Sequence, residues 1–244
     1  MNEIISVKQL SKAYGCLTAV QGLDLSVMQG TVFGLLGANG AGKSTTIECM
    51  LGTRIPDTGT ISIMGMNPLQ QRKQLFENIG VQFQEANYQD KVTVSELCEV
   101  TQSLYKKAAD YQELLKQFGI SEKAKSMVKE LSGGQRQKLF IVLALIPQPK
   151  VVFLDELTTG LDAKARREVW KILSDLKEKG LTIFLTSHFM DEVEALCDTI
   201  CILKKGKSVF YGTVKEAVES SPYEKFEDAY LWYSDEEVNE NENV

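Results

Sequence analysis

The chain of 244 residues contains one histidine, His188, together with only five prolines and five cysteines. With so little imidazole and no Cys-x-x-Cys pair, a zinc site would need an unusual ligand set. An odd number of cysteines at irregular spacings also offers no disulfide framework. Cys197 and Cys201 stand four apart, but Asp198 and Thr199 between them read as a helix end entering a strand. All five are therefore expected to be small buried hydrophobes. Long apolar runs are missing too. A spanning helix needs about 20 consecutive apolar residues, and the stretches 140–147 and 151–154 fall well short. The first seven residues have neither a basic n-region nor an apolar h-region, so no secretory signal is expected and the chain is placed in the cytoplasm. Positive charge is in short supply only at one end. Residues 224–244 hold eight acids against one lysine, a net −7 out of a total of −6, which leaves the rest at +1. A nearly neutral body argues against bulk nucleic-acid binding, and no nucleic-acid partner is expected.

What is present is ordinary globular material: 43% hydrophobic and 25% charged residues, enough chain to bury one sizeable core. The first sixty-odd residues are β-rich, with strands predicted at 4–7, 18–20, 24–27 and 31–36, a turn at 57–59 and a strand at 60–64. Residues 92–145 read mostly as helix. Thereafter strand and helix alternate. A β-branched and aromatic run at 151–154 is of the kind buried in a parallel sheet. Val169, Ile172, Leu173 and Leu176 recur at helical spacing before Gly180, and a second apolar strand covers 181–185. A helix at 191–196 and a hairpin of 200–203 with 208–211 follow. Phe226, Tyr230 and Tyr233 share one face of a helix at 223–233. The order predicts an α/β core with an antiparallel β portion at the start and a helical insertion in the middle.

Gly37-Ala38-Asn39-Gly40-Ala41-Gly42-Lys43-Ser44 fits the pattern G-x-x-x-x-G-K-[ST], with Thr45 in the helical turn that follows. It comes after the strand 31–36 and opens a stretch in which Ile47, Met50 and Leu51 share a face. Glycines let successive backbone N–H groups turn inward as an anion nest at a helix N-terminus. Lys43 then reaches the β- and γ-phosphates of a nucleotide, and the Ser44 hydroxyl reaches Mg²⁺. A mere Gly-rich turn before a helix would not need Lys and Ser at that offset.

Phosphate loops serve kinases, GTPases, helicases and transport engines alike. Leu131-Ser132-Gly133-Gly134-Gln135 narrows the choice. Ser132 and Gln135 make a capping box at the start of a helix, but that does not explain two glycines in its first turn, each costing about 1 kcal/mol relative to alanine. They make sense where an anion approaches the helix terminus closely. This LSGGQ segment resembles the signature of ABC-type ATPases, and the resemblance runs from end to end of the chain. It implies the fold of a P-loop NTPase core with an N-terminal antiparallel β subdomain and an inserted α-helical subdomain at about 85–150. One ABC ATPase domain would then cover 1–233, followed by an acidic tail at 234–244.

The resemblance also assigns roles. Residues 151–156 resemble the Walker B strand, with Asp155 holding Mg²⁺ and Glu156 polarising the attacking water. Leu161-Asp162 resembles the D-loop, which crosses a dimer interface. Thr186-Ser187-His188 resembles the switch-histidine segment. Gln84 resembles the Q-loop glutamine, a further Mg²⁺ ligand and catalytic residue, with Gln82 two residues earlier as a competing assignment. Tyr14 resembles the aromatic that stacks on adenine. One departure is Leu157, where the family usually has proline, which leaves the turn out of the strand freer. The family mechanism implies two subunits, either two copies or a copy and a homologous ATPase, that sandwich two ATP molecules. Each site would join residues 37–45 of one chain to 132–135 of the other and drive a separate membrane permease from the cytoplasmic face. The pattern from His188 to Ala195 is most similar to bacterial exporters of drugs, antibiotics or lipids. The alternative is a soluble ABC ATPase of the translation or DNA-repair type. It would carry two cassettes, or a long coiled-coil insertion where only about 90 residues separate the two glycine motifs.

Overall fold

The computed structural model describes residues 2–82, 91–156, 158 and 160–234. The chain divides into two compact units, Met1–Arg72 with Leu185–Val244, and Lys73–Phe184.

The first unit opens with two long strands, β1 (Glu3–Tyr14) and β2 (Leu17–Met28), paired antiparallel. The strand β4 (Thr58–Ile63) lies antiparallel on the other side of β1. The antiparallel β portion expected at the start is therefore there, but its strands are longer than the segments 4–7, 18–20 and 24–27. The reason is a β-bulge. Pairing shifts register between Val7 and Leu10, where Gln9 takes a φ of 51°. Its backbone N–H donates to Asp24 Oδ1 at 2.7 Å, and its side-chain amide donates to the other oxygen of the same carboxylate. An inserted residue interrupts the two-residue alternation on which strand prediction rests while the ladder continues past it.

Between β2 and β4 run β3 (Val32–Leu36), buried along its whole length, and the helix α1 (Lys43–Met50). Burial on both faces is what an apolar parallel strand requires, and β3 indeed pairs in parallel with β8 (Thr199–Lys204). The hairpin partner of β8, β9 (Lys207–Gly212), runs antiparallel, so this sheet is mixed. Around it pack α7 (Met190–Leu196), α8 (Val214–Glu219) and α9 (Phe226–Ser234). Leu36, Met190, Val193, Ile200, Ile202, Ala217 and Phe226 form one buried cluster there, with Tyr230 and Tyr233 packed against it. The aromatic face predicted for the last helix is the face that docks.

The second unit begins within the short helix α2 (Arg72–Phe76). Its strands β5 (Ile79–Gln82) and β6 (Val151–Asp155) pair in parallel. Between them in sequence come α3 (Val94–Ser103), α4 (Tyr111–Gln117), two single 3-10 turns and α5 (Gly133–Leu145), the helical middle that periodicity predicts. Then α6 (Ala163–Glu178) leads to β7 (Thr182–Ser187), the strand in which the chain returns to the first unit. Among the described residues no helix is long and apolar enough to cross a membrane.

Candidate functional site

In the first unit, β3 delivers the chain into the glycine loop and α1 carries it away. Gly37 has φ 149°, and a Cβ there would stand 2.6 Å from the Leu203 carbonyl oxygen on β8. Gly42 has φ 106°, and a Cβ there would collide with the Ala19 carbonyl of β2. The loop is thus pressed against two strands at places where only glycine fits. Gly42 is also the residue that caps α1, and it offers no side-chain oxygen to the amides of that helix terminus. Among the described residues of the second unit, the helices of seven residues or more each have a Ser, Thr or Asp cap at the start, whereas α7 of the first unit, like α1, has no side-chain cap. An uncapped N-terminus leaves amide donors and the positive end of the helix dipole for an anion.

Lys43 is buried, 6% exposed, and its ammonium donates to the Gly37 carbonyl at 2.7 Å and the Ala38 carbonyl at 3.2 Å. A buried ammonium needs such partners. Here they come from the loop's own backbone, so the charge is held over the nest. Ala38, Asn39, Gly40 and Ser44 are exposed, Ala41 is buried and Thr45 is half-buried. Tyr14 ends β1 with 41% of its surface exposed. The Lys12 ammonium lies 5.6 Å and the Arg54 guanidinium 6.0 Å from its ring centre. Lys12 is itself held by Asp57 at 2.8 Å and Arg54 by Glu48 at 3.0 Å. The Asp57 contact raises the Lys12 pKa, and the same contact, helped by the Ala13 N–H, lowers that of Asp57. Spacing does not reveal this cationic frame around Tyr14, because Arg54 comes from a distant segment and the Asp57 that holds Lys12 lies 45 positions from it.

His188 is exposed at the end of β7, its ring 4.2 Å from that of Phe189. Tyr14, residues 37–45 and His188 all belong to the first unit.

The second unit holds the remaining candidates. Ser132 caps α5: its hydroxyl accepts from the Gln135 N–H at 3.3 Å, and the Gln135 side chain accepts from the Ser132 N–H at 3.1 Å. The capping box read in the sequence is therefore formed, with Ser132 and Gly133 exposed at its tip. A second segment passes beside the two glycines, at distances where a Cβ would be in ordinary van der Waals contact. A Cβ on Gly133 would lie 3.6 Å from the Gly160 carbonyl, and one on Gly134 would lie 3.5 Å from a Leu161 methyl. The structure so brings residues 132–135 together with 160–162. Asp162 caps α6, accepting from the Ala165 N–H at 2.8 Å. Asp155 ends β6 at 8% exposure, and Glu156 follows, half-buried, with φ 49°. The left-handed backbone turns Glu156 out of the strand's alternation, a strained geometry of the kind found at functional positions. Gln82 is the last residue of β5 and is buried. Gln84 and Leu157 lie outside the described residues.

Among the described residues no group of three or more His, Cys, Asp or Glu side chains could hold a metal ion by itself. An exposed serine hydroxyl and a carboxylate are hard oxygen donors suited to Mg²⁺, which takes few protein ligands when phosphates and water complete its shell.

A sequence profile described as ABC transporter matches residues 20–159. The Nod factor export ATP-binding protein I of Ralstonia nicotianae is 40% identical over 220 residues, covering 88% of this chain and 68% of that protein. The protein of the same name in Burkholderia orbicola is 38% identical over 221 residues, covering 88% and 73%. Among solved structures, the ATP-binding subunit of an ABC transporter superposes with a TM-score of 0.85 at 26% identity, covering 94% of this chain and 99% of that one. A bacterial ABC transporter cassette solved as a dimer superposes with a TM-score of 0.77 at 24% identity, covering 86% and 98%.

Proposed function

The chain belongs to the ABC transporter family, as an ATP-binding subunit with ATPase activity, and from that premise we propose how its residues divide the work. The observation that carries the reading is the loop 37–45, where an uncapped helix start, two glycines that admit no Cβ and a buried ammonium meet in one turn of chain. That arrangement suits the β- and γ-phosphates of ATP, with Gly37, Ala38, Asn39, Gly40, Ala41, Gly42 and Thr45 supplying backbone and Lys43 the charge. Ser44 and Asp155, with Gln84, supply oxygens for Mg²⁺, which neutralises the phosphate charge that builds up during transfer. Glu156 orients the attacking water and His188 contacts the γ-phosphate. Tyr14 stacks on the adenine.

Residues 132–135 and Asp162 face the nucleotide of a second subunit, either another copy or a homologous ATPase. Their side chains cap helices within their own chain, and the exposed Ser132-Gly133 tip fits an anion brought by a partner. A separate transmembrane permease holds the pair at the cytoplasmic face of the membrane. The movement is export, the direction printed in the names of the relatives.

The test uses two variants. Lys43→Ala is expected to weaken ATP binding at least tenfold, since a hydrogen bond from a charged group is worth about 1.5–3 kcal/mol. Glu156→Gln is expected to bind ATP without turnover and to double its mass in light scattering when ATP is added. A Glu156→Gln protein that stays at the mass of one chain under saturating ATP would reject the two-subunit site.

A further inference from the structure

Two polar side chains beside His188 are buried almost completely. Ser187 and Glu192 are each 1% exposed, while His188 between them in sequence is exposed. Burying a carboxylate is costly unless hydrogen bonds hold it. One of the bonds that do so is short: the Ser187 hydroxyl donates to Glu192 Oε2 at 2.5 Å, within the range of charge-assisted O–H···O⁻ bonds. The same hydroxyl oxygen accepts from the Phe189 N–H at 3.0 Å. It also lies 3.5 Å from the Phe189 carbonyl, but its single proton goes to the much nearer carboxylate. Glu192 stands in the first turn of α7, beside the buried residues Met190, Val193 and Leu196.

These bonds close a loop of chain around one residue. On one side of His188, Ser187 ends the buried strand β7; on the other, Phe189 is tied back to Ser187, and Ser187 is tied to the rigid helix that follows. The imidazole lies 4.2 Å from the ring of Phe189, the residue whose N–H is tied to Ser187. The backbone of His188 is held on both sides before any nucleotide arrives, which lowers the ordering cost of a contact made later.

We propose that the buried Ser187–Glu192 pair is the positioning device for His188, setting the direction of the imidazole toward the γ-phosphate. The proposal rests on the reading of His188 as a γ-phosphate contact. The bland account is a serine turn that merely starts a helix. It predicts loss of stability when the pair is broken, with no separate effect on turnover or on the imidazole.

His188 is the only histidine, so a histidine-labelled protein gives one imidazole signal by NMR. In the Glu156→Gln background that signal is expected to move between the ADP and ATP states. Ser187→Ala and Glu192→Leu are expected to abolish this movement. In the otherwise unaltered protein they should lower kcat about tenfold or more while leaving the KM for ATP within about twofold, the pattern of an interaction made in the transition state. Glu192→Gln keeps an oxygen that accepts from Ser187 and should recover most of both readouts. If Glu192→Leu does not fold, Ser187→Ala and Glu192→Gln, which barely change the volume, carry the test. A Ser187→Ala protein with the parent's turnover and the parent's imidazole response overturns the proposal while leaving the role of His188 intact. Parent-like turnover in His188→Ala removes the γ-phosphate reading itself and the proposal with it. A fall in melting temperature alone, with kcat and the imidazole signal unchanged, also overturns it.

Discussion

At the scale of single residues, burial decides chemistry that residue type leaves open. The five cysteines are alike in sequence, and all were expected to be buried. Cys49, Cys98 and Cys201 are buried and Cys197 is half-buried, but Cys16 is exposed in the tight turn between β1 and β2. Burial pushes the thiols of Cys49 and Cys201 up to about 11 and that of Cys98 up to about 12. Thiolate is the reactive form, so these three are both shielded and protonated at neutral pH. Alkylation of the folded protein at pH 7.5, about one unit below a free thiol's pKa, is expected to modify Cys16 first, with Cys49, Cys98 and Cys201 labelled only after unfolding. Peptide mass mapping at short times reads this directly, and early labelling of Cys98 would contradict the packing around α3. Nothing in the spacing of Cys16 separates it from the others. Its neighbours in the turn are local, but its exposure is a property of the fold.

At the scale of elements, a helix start is open to reading from sequence, because a cap involves residues only three apart. The box at Ser132 and Gln135 forms as read. Two more, Thr93 with Glu96 on α3 and Thr213 with Glu216 on α8, follow the same T-x-x-E pattern. In both, the carboxylate accepts from the backbone N–H and the hydroxyl of its threonine, which holds its pKa below the usual value of 4.5. A carboxyl whose pKa is lower folded than unfolded contributes its stability above the unfolded value and loses it as pH falls through the folded one. The contribution of these caps is therefore complete above about pH 4.5 and fades below it. A melting-temperature series from pH 6 to pH 3 should fall less steeply at its acid end for the Glu96→Gln, Glu216→Gln double variant than for the parent. Equal slopes would mean that the two carboxylates are no better held in the folded chain than in the unfolded one. The first two strands were less legible than the later ones. The bulge at Gln9 shifts the side-chain alternation partway along β1, and the bidentate partner that stabilises it, Asp24, comes from the next strand.

At the scale of the molecule, the last helix depends on contacts that no local pattern specifies. Phe226 is 1% exposed within the cluster of Leu36, Val193, Ile200 and Ile202, which come from β3, α7 and β8. Truncating a buried phenylalanine costs about 3–5 kcal/mol. Phe226→Ala is expected to lower the urea midpoint by a corresponding amount, with the slope of the transition unchanged. A shift of less than about 1 kcal/mol would mean that α9 is not docked as described.

The sequence by itself was enough to specify the glycine loop before α1, the capped helix α5, the acid-ended strand β6 and the α/β order. Each depends on residues within about one helical turn of one another or on a single apolar run, and local backbone chemistry such as an amide nest or a helix cap needs nothing from the rest of the chain. Only the tertiary structure decided which of those residues are shielded from water and what frames them. It placed Lys12 and Arg54 around Tyr14, brought residues 160–162 against Gly133 and Gly134, and pressed β2 and β8 against the glycine loop. Ser187 and Glu192 are only five positions apart, yet their hydrogen bond matters because both are almost completely buried, which the spacing alone does not show. Spacing encodes which groups are able to meet; desolvation, which sets the strength of that meeting, is a sum over the whole packed core.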